Sequence, residues 1–193
     1  MLMWNTAERA TTISLSPPSI PRLRLHPPRP SGLGRALLDG GWWPRSTDPV
    51  GELPGLILAL QTHACADDHG PIVHVLLRVA DWDGRPRRLR VDGPADARVV
   101  RLSWFDSLPA GLLTAICADG HRLDLLTVPV DSGPAEAWAA MELAAHTANH
   151  LHTPHLLATL GTATGPADRA ETEERRRTWE SEGGQWRESP ATP

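Results

Sequence analysis

Lysine is absent from the 193 residues, so all 19 basic side chains are arginine. A chain with no side-chain primary amine holds no Schiff-base lysine, no pyridoxal-phosphate anchor and no phosphate-loop lysine. Tyrosine is also absent and phenylalanine occurs once, at Phe105, which leaves eight tryptophans to carry nearly all the aromatic surface. The two cysteines, Cys65 and Cys117, have no second pair with which to build a disulfide framework or a thiolate metal site. Read by themselves they are small buried hydrophobes of a reducing compartment. The longest apolar run is Leu56–Leu60, far below the roughly 20 residues a membrane helix needs. Met1–Ile20 lacks the basic start and apolar stretch of a signal peptide. These absences point to a soluble, cytoplasmic protein with no membrane partner.

The mass of 21.0 kDa suits one domain with tails. The formal charge of -4 excludes a global polycation. Residues 1–20 are polar and proline-bearing without periodic apolar positions, and are expected to lack structure. Residues 161–193 mix charges with glycine and proline, and are read as a disordered charged tail. Between them, 21–160 reads as a single domain.

Within that domain, Arg22–Leu25 alternates as a half-buried strand does. Asp39-Gly40-Gly41 reads as a turn. Asp48 followed by Pro49 is a helix start, and Leu53, Leu56, Ile57 and Leu60 then recur at helical spacing to about Thr62. Strand patterns follow over 72–79, 88–91, 99–105, 112–118 and 121–130. Asp119-Gly120 between the last two is a strong hairpin signal. Gly133-Pro134 opens a second helix carrying Trp138, Met141 and Ala145 on one face as far as Asn149, and Leu156–Leu160 adds a short turn. The sum is an α+β domain with a mostly antiparallel, twisted sheet of five to six strands and two principal helices.

The stretch Asp39-Gly40-Gly41-Trp42-Trp43-Pro44-Arg45-Ser46 resembles the actinobacterial proteins grouped as domain of unknown function 5994. The likeness continues through Glu52-Leu53-Pro54, Trp82, Pro86-Arg87-Arg88-Leu89, Arg98–Leu102, Trp104-Phe105 and Ala118–Pro129, covering roughly residues 21–150. It departs from the family pattern at Ser107–Leu113 and in the histidine-rich stretch His146–His155. The resemblance implies a fold and a bacterial lineage. It brings no activity, cofactor or catalytic residue with it.

Three constellations carry chemistry. Trp42 and Trp43 are adjacent, and on an extended chain they point to opposite faces, one inward and one outward. An outward tryptophan beside Arg45 would make a stacking and anion-binding surface; with both buried, Arg45 would only pair locally. Seven arginines, Arg78, Arg85, Arg87, Arg88, Arg90, Arg98 and Arg101, meet four aspartates over the same span, a local excess of three positive charges. On adjacent strands Arg88, Arg90 and Arg101 would share a face with Trp82 or Trp104 near, which suits single-stranded nucleic acid; the plainer reading is a solvated outer face. His146, His150, His152 and His155 lie within ten residues. His146 and His150 at helical spacing, with His155 or Glu142 as a third group, are weak metal candidates. An exposed helix end is the alternative.

Enzyme signatures are missing: no Gly-x-Ser-x-Gly elbow and no Gly-x-Gly-x-x-Gly run. An enzyme would have to converge His74, His121 and Asp124, the last in an apolar strand. The expected function is a small non-enzymatic binding or regulatory module without a cofactor, acting on a protein or small-molecule partner. The alternatives are an enzyme of unknown reaction, or a single-stranded nucleic-acid binder using the arginine face.

Overall fold

A computed structural model describes residues 11–15, 17–27, 37–63, 69–93 and 97–159. The tail expected at 161–193 lies outside the described residues. Eight strands form one sheet: β1 (Thr12–Ile13), β2 (Arg22–Leu25), β3 (Gly40–Trp43), β4 (Ile72–Arg78), β5 (Arg88–Asp92), β6 (Ala97–Phe105), β7 (Leu112–Cys117) and β8 (Arg122–Thr127). Their order across it is β1-β5-β6-β4-β7-β8-β3-β2. The pairs β1/β5, β3/β8 and β4/β6 run parallel and the other four antiparallel. The α+β class therefore holds, but the sheet is mixed and larger than the five to six strands expected.

Two of the additional strands come from stretches that carried no strand signal. β1 lies in the segment expected to be without structure, and its two residues pair with Leu89 and Arg90. β3 includes the glycines read as a turn. Those glycines are needed because the sheet is crowded there. A Cβ on Gly40 would sit 2.1 Å from Arg24 O, and one on Gly41 would sit 2.7 Å from Met141 Cα.

Helix α1 (Pro49–His63) starts where the sequence indicates. Asp48 accepts from Val50 N–H at 3.0 Å and Gly51 N–H at 3.1 Å, capping two of the free amides of the first turn. Leu53, Leu56, Ile57 and Leu60 then bury against Val75 and Leu77 of β4, Leu89 and Val91 of β5 and Val100 and Leu102 of β6. We call this the inner face. Each such side chain contributes about 1.5–3 kcal/mol of apolar transfer free energy.

Helices α2 (Pro134–Ala144) and α3 (Thr153–Thr159) lie on the opposite, outer face. There Ala137, Ala140, Met141, Ala144 and Leu156 pack with Trp43, Leu126 and Val128. The buried side of α2 is thus lined by alanines and Met141. Trp138, expected on that side, is 40% exposed, with the Arg24 guanidinium 5.3 Å from its ring. The helix also ends five residues earlier than expected.

The β7–β8 hairpin closes at Asp119-Gly120 as its sequence indicates. Gly120 takes φ +90°, and Cys117 N–H donates to His121 O at 2.8 Å. Cys117 is buried at the end of β7 and is disulfide-bonded, so it is not the lone thiol expected. The only other cysteine, Cys65, lies outside the described residues. Among the described residues no helix is long and apolar enough to cross a membrane.

Candidate functional site

The double tryptophan points to both faces, as extended chain requires, but both rings are covered. Trp42 is 1% exposed on the inner face and stacks on Trp82, with ring centroids 5.7 Å apart and planes at 20°. Trp43 is 6% exposed on the outer face under α2, with the Arg22 guanidinium 3.5 Å over its ring. No tryptophan face is left for a ligand there. The reason is that strands flank β3 on both sides and helices lie over both faces, a burial that the local sequence does not show.

Arg45 is exposed, but its guanidinium holds the chain's own N-terminal segment, donating to Ile20 O at 2.9 Å and to Ser19 Oγ at 3.5 Å. Ser46 Oγ donates to the buried Glu52 carboxylate at 3.0 Å. Trp42, Trp43, Arg45 and Ser46 therefore join the sheet, α1 and the N-terminal segment. Trp82 is buried, and half-buried Trp104 packs on the inner core with its indole N–H on Pro86 O at 2.8 Å.

The arginines behave differently. Along β5 and β6 the burial alternates, with Leu89, Val91, Val100 and Leu102 inward and Arg88, Arg90 and Arg101 exposed on the outer face. That face is the one expected for them, but Trp82 and Trp104 lie on the other. The ring that accompanies the arginines is Phe105, 43% exposed, with Val99 exposed two rungs away. Register places Arg88 directly opposite Arg101, and Arg101 beside His74 of β4. His74 is half-buried, and its Nε2 lies 2.8 Å from Ser103 Oγ. Burial, and then the Arg101 charge, lower the His74 pKa from its ordinary value.

Most other arginines are engaged. Arg22 donates to Trp43 O at 3.0 Å and Pro44 O at 2.6 Å, Arg78 pairs with Asp81 at 3.3 Å, Arg90 with Asp92 at 2.7 Å, and Arg98 donates to Gln61 Oε1 at 2.9 Å. Arg88 and Arg101 make no ion pair among the described residues. Helices α2 and α3 cover the β3/β8 side of the outer face, while the β5/β6 side carries these exposed cations.

The acid and histidines that an enzyme would need do not converge. Asp124 accepts from Thr114 Oγ1 at 2.5 Å, and its own N–H donates to Asp39 Oδ2 at 2.7 Å. β7 lies between β8 and β4, and Asp124 is level with Leu76 rather than His74. Asp124 and His74 therefore stand two strand spacings apart and two residues out of step, more than about 10 Å. His121 sits at the hairpin end instead. Its ring stacks on His69 at 3.9 Å, and His69 Nδ1 lies 2.7 Å from Asp119 Oδ2. The His121 backbone N–H and the His69 side chain hold the Asp119 carboxyl below its usual pKa.

His146 and His150 fall beyond the last turn of α2, so their spacing does not align them on one helix side. His146 Nδ1 accepts from Ala148 N–H at 3.2 Å. Among the described residues no group of three or more His, Cys, Asp or Glu side chains is placed to hold a metal ion. The alternation of β6 sets Ser103 on the Arg101 face, where it lies. Phe105, two positions further on the same face, is outside the residues the sequence suggests for a site, although the same period-two signal reaches it.

No curated protein and no solved structure matches the chain. The model of a family of unknown function, DUF5994, matches residues 22–144. That span runs from β2 to the end of α2 and takes in both tryptophan packings and the arginine-bearing strands. The chain belongs to the DUF5994 family.

Proposed function

We propose that this chain is a non-enzymatic binding module whose contact surface is the β5/β6 side of the outer sheet face, and that it takes an anionic ligand or partner there. The observation that carries the reading is the Arg88–Arg101 pair: two exposed guanidiniums directly opposite each other, without a carboxylate partner among the described residues. Like charges directly opposite on a sheet are destabilising, and a bound anion converts that repulsion into attraction. Exposed Val99 and Phe105 beside the arginines add apolar contact area.

The single-stranded nucleic-acid alternative has a weaker basis, since Trp82 and Trp104 lie on the inner side and leave Phe105 alone for stacking. The enzymatic alternative has no converged acid and base to stand on. The reducing cytoplasm suggested by the cysteines loses its argument with the bonded Cys117, and no compartment is part of the proposal.

Chromatography on heparin, a sulfated polyanion, tests the reading. With a net charge of -4 the chain has no global reason to be retained. Retention at low salt, released by added salt and lost in a folded Arg88→Gln/Arg101→Gln variant, is the expected result. A flow-through wild type, or a variant retained equally well, overturns it.

A further inference from the structure

The strand register brings Arg88 and Arg101 closer than their shared face alone requires. Leu102 N–H donates to Arg87 O at 2.9 Å, which makes 87/102 a hydrogen-bonded pair. The next pair, Arg88/Arg101, is then a non-hydrogen-bonded one. Such pairs bring the Cα atoms to about 4.5 Å, the nearest approach antiparallel strands allow. On the other flank of β6, His74 is level with Arg101. Three cationic or protonatable side chains from three adjacent strands thus occupy one rung. On the far side of His74 the rung continues with uncharged Ile116 of β7 and then Arg122 of β8, which Ile116 separates from the other three.

We propose that Arg88, Arg101 and His74 form a subsite for a phosphate monoester. This rests on the anion-binding reading above and gives it a ligand class. Three groups on neighbouring strands span about 10 Å, wide enough to surround a tetrahedral group carrying three terminal oxygens and wider than one carboxylate fills. Guanidiniums donate in the fork geometry that phosphate oxygens accept. The two charges of a monoester match the two arginines, whereas a backbone phosphodiester supplies only one. His74 adds a proton-linked component. In the free protein the groups facing it are Arg101 from β6 and Ile116 from β7, with Arg88 one strand beyond Arg101 and Arg122 of β8 one strand beyond Ile116, so the local field opposes the imidazolium. A bound dianion reverses that field and His74 takes up a proton. Binding of the dianion is therefore linked to proton uptake at His74. Because the monoester itself takes up a proton at about pH 6, the linkage shows as a rise in the His74 pKa on saturation rather than as tighter binding at low pH.

The test is a nuclear magnetic resonance titration of the full chain with inorganic phosphate at constant ionic strength, following the arginine Nε–H and histidine ring signals. Saturable shifts at Arg88, Arg101 and His74, with a His74 pKa that rises on saturation, are expected. Arg88→Gln and Arg101→Gln should each weaken binding by about tenfold or more, the loss of one charge-assisted contact. Both positions are exposed, and a circular dichroism spectrum verifies that the variants fold. An oligothymidylate with and without a 5′-phosphate separates the sources of the group. A gain that depends on the 5′-phosphate supports the monoester, and equal binding of the two overturns it. Heparin retention without any phosphate shift defeats the subsite but leaves the anionic-ligand reading in place. Loss of both removes the two together.

Discussion

Trp42 and Trp82 stack with their ring centroids 5.7 Å apart, at the end of the core that α1 closes. Trp43, the next residue along, is buried on the opposite face, and its indole N–H has no hydrogen-bond partner among the described residues. The neighbouring rings therefore answer substitution differently. Either tryptophan replaced by alanine should cost about 3–5 kcal/mol. Replaced by phenylalanine, Trp43 should cost clearly less than Trp42, because the change also removes an unpaired buried donor worth about 1–3 kcal/mol. Urea denaturation of Trp42→Phe and Trp43→Phe side by side decides this; equal losses refute it.

Gly41 lies against the backbone of α2 rather than against a flexible side chain, with Met141 Cα 2.7 Å from where a Cβ would stand. Gly41→Ala should push α2 off the sheet and cost about 1–3 kcal/mol. Gly120→Ala meets no neighbour within 4 Å and is strained only by its φ of +90°, at about 1–2 kcal/mol. A difference shows in how α2 is affected. Amide exchange within α2 should accelerate in the first variant and remain as in wild type in the second.

Gly55 is a point of contact between α1 and the N-terminal segment, since a Cβ there would come within 2.1 Å of Ser19 O. Gly55→Ala should displace residues 17–20 and deprive Arg45 of its acceptors while the sheet remains folded. Limited proteolysis should then cut before Arg22 several times faster than in wild type, with the unfolding transition still cooperative. An unchanged cleavage rate counts against this contact.

The bonded state of Cys117 is directly measurable. In denaturant without reductant, an alkylating reagent should leave Cys117 unmodified; after reduction it should be labelled completely. Labelling without reductant contradicts the bond.

His74 makes stability depend on pH in a definite direction. Its folded pKa lies below the ordinary value of about 6.5, so the unfolded chain takes the proton first as pH falls. The stability associated with the neutral ring is complete above that value and is lost progressively below it. Thermal melts of His74→Gln between neutral and mildly acid pH should show a shallower decline than wild type in that window. Parallel curves would assign the acid limb to other groups.

What the sequence made legible was local. The Asp48 cap sits beside the amides it satisfies, and Asp119-Gly120 joins strands that pair with each other. Inward and outward positions along β5 and β6 were readable for the same reason, since alternation needs only a period of two. β3 was not legible, because Gly40 and Gly41 are glycines for the sake of Arg24 and Met141, residues distant in the chain. Nor could the sequence show that β4 runs beside β6 in parallel, and that pairing sets His74 next to Arg101. Which of the two readings of the tryptophans holds, one exposed or both buried, was not legible, because their cover comes from segments drawn from elsewhere in the chain.

The junction of β3 with β8 has a consequence for how the chain acquires its fold. Asp39 and Asp124 meet there across 85 positions, so the strand bearing both tryptophans emerges from the ribosome well before its parallel neighbour. Until β8 is synthesised, Trp42 and Trp43 lack the strand that buries one of their flanks, and the loop to be closed is long. The strand that carries both buried tryptophans thus waits long for its parallel neighbour in the nascent chain, and is one for a chaperone to shield.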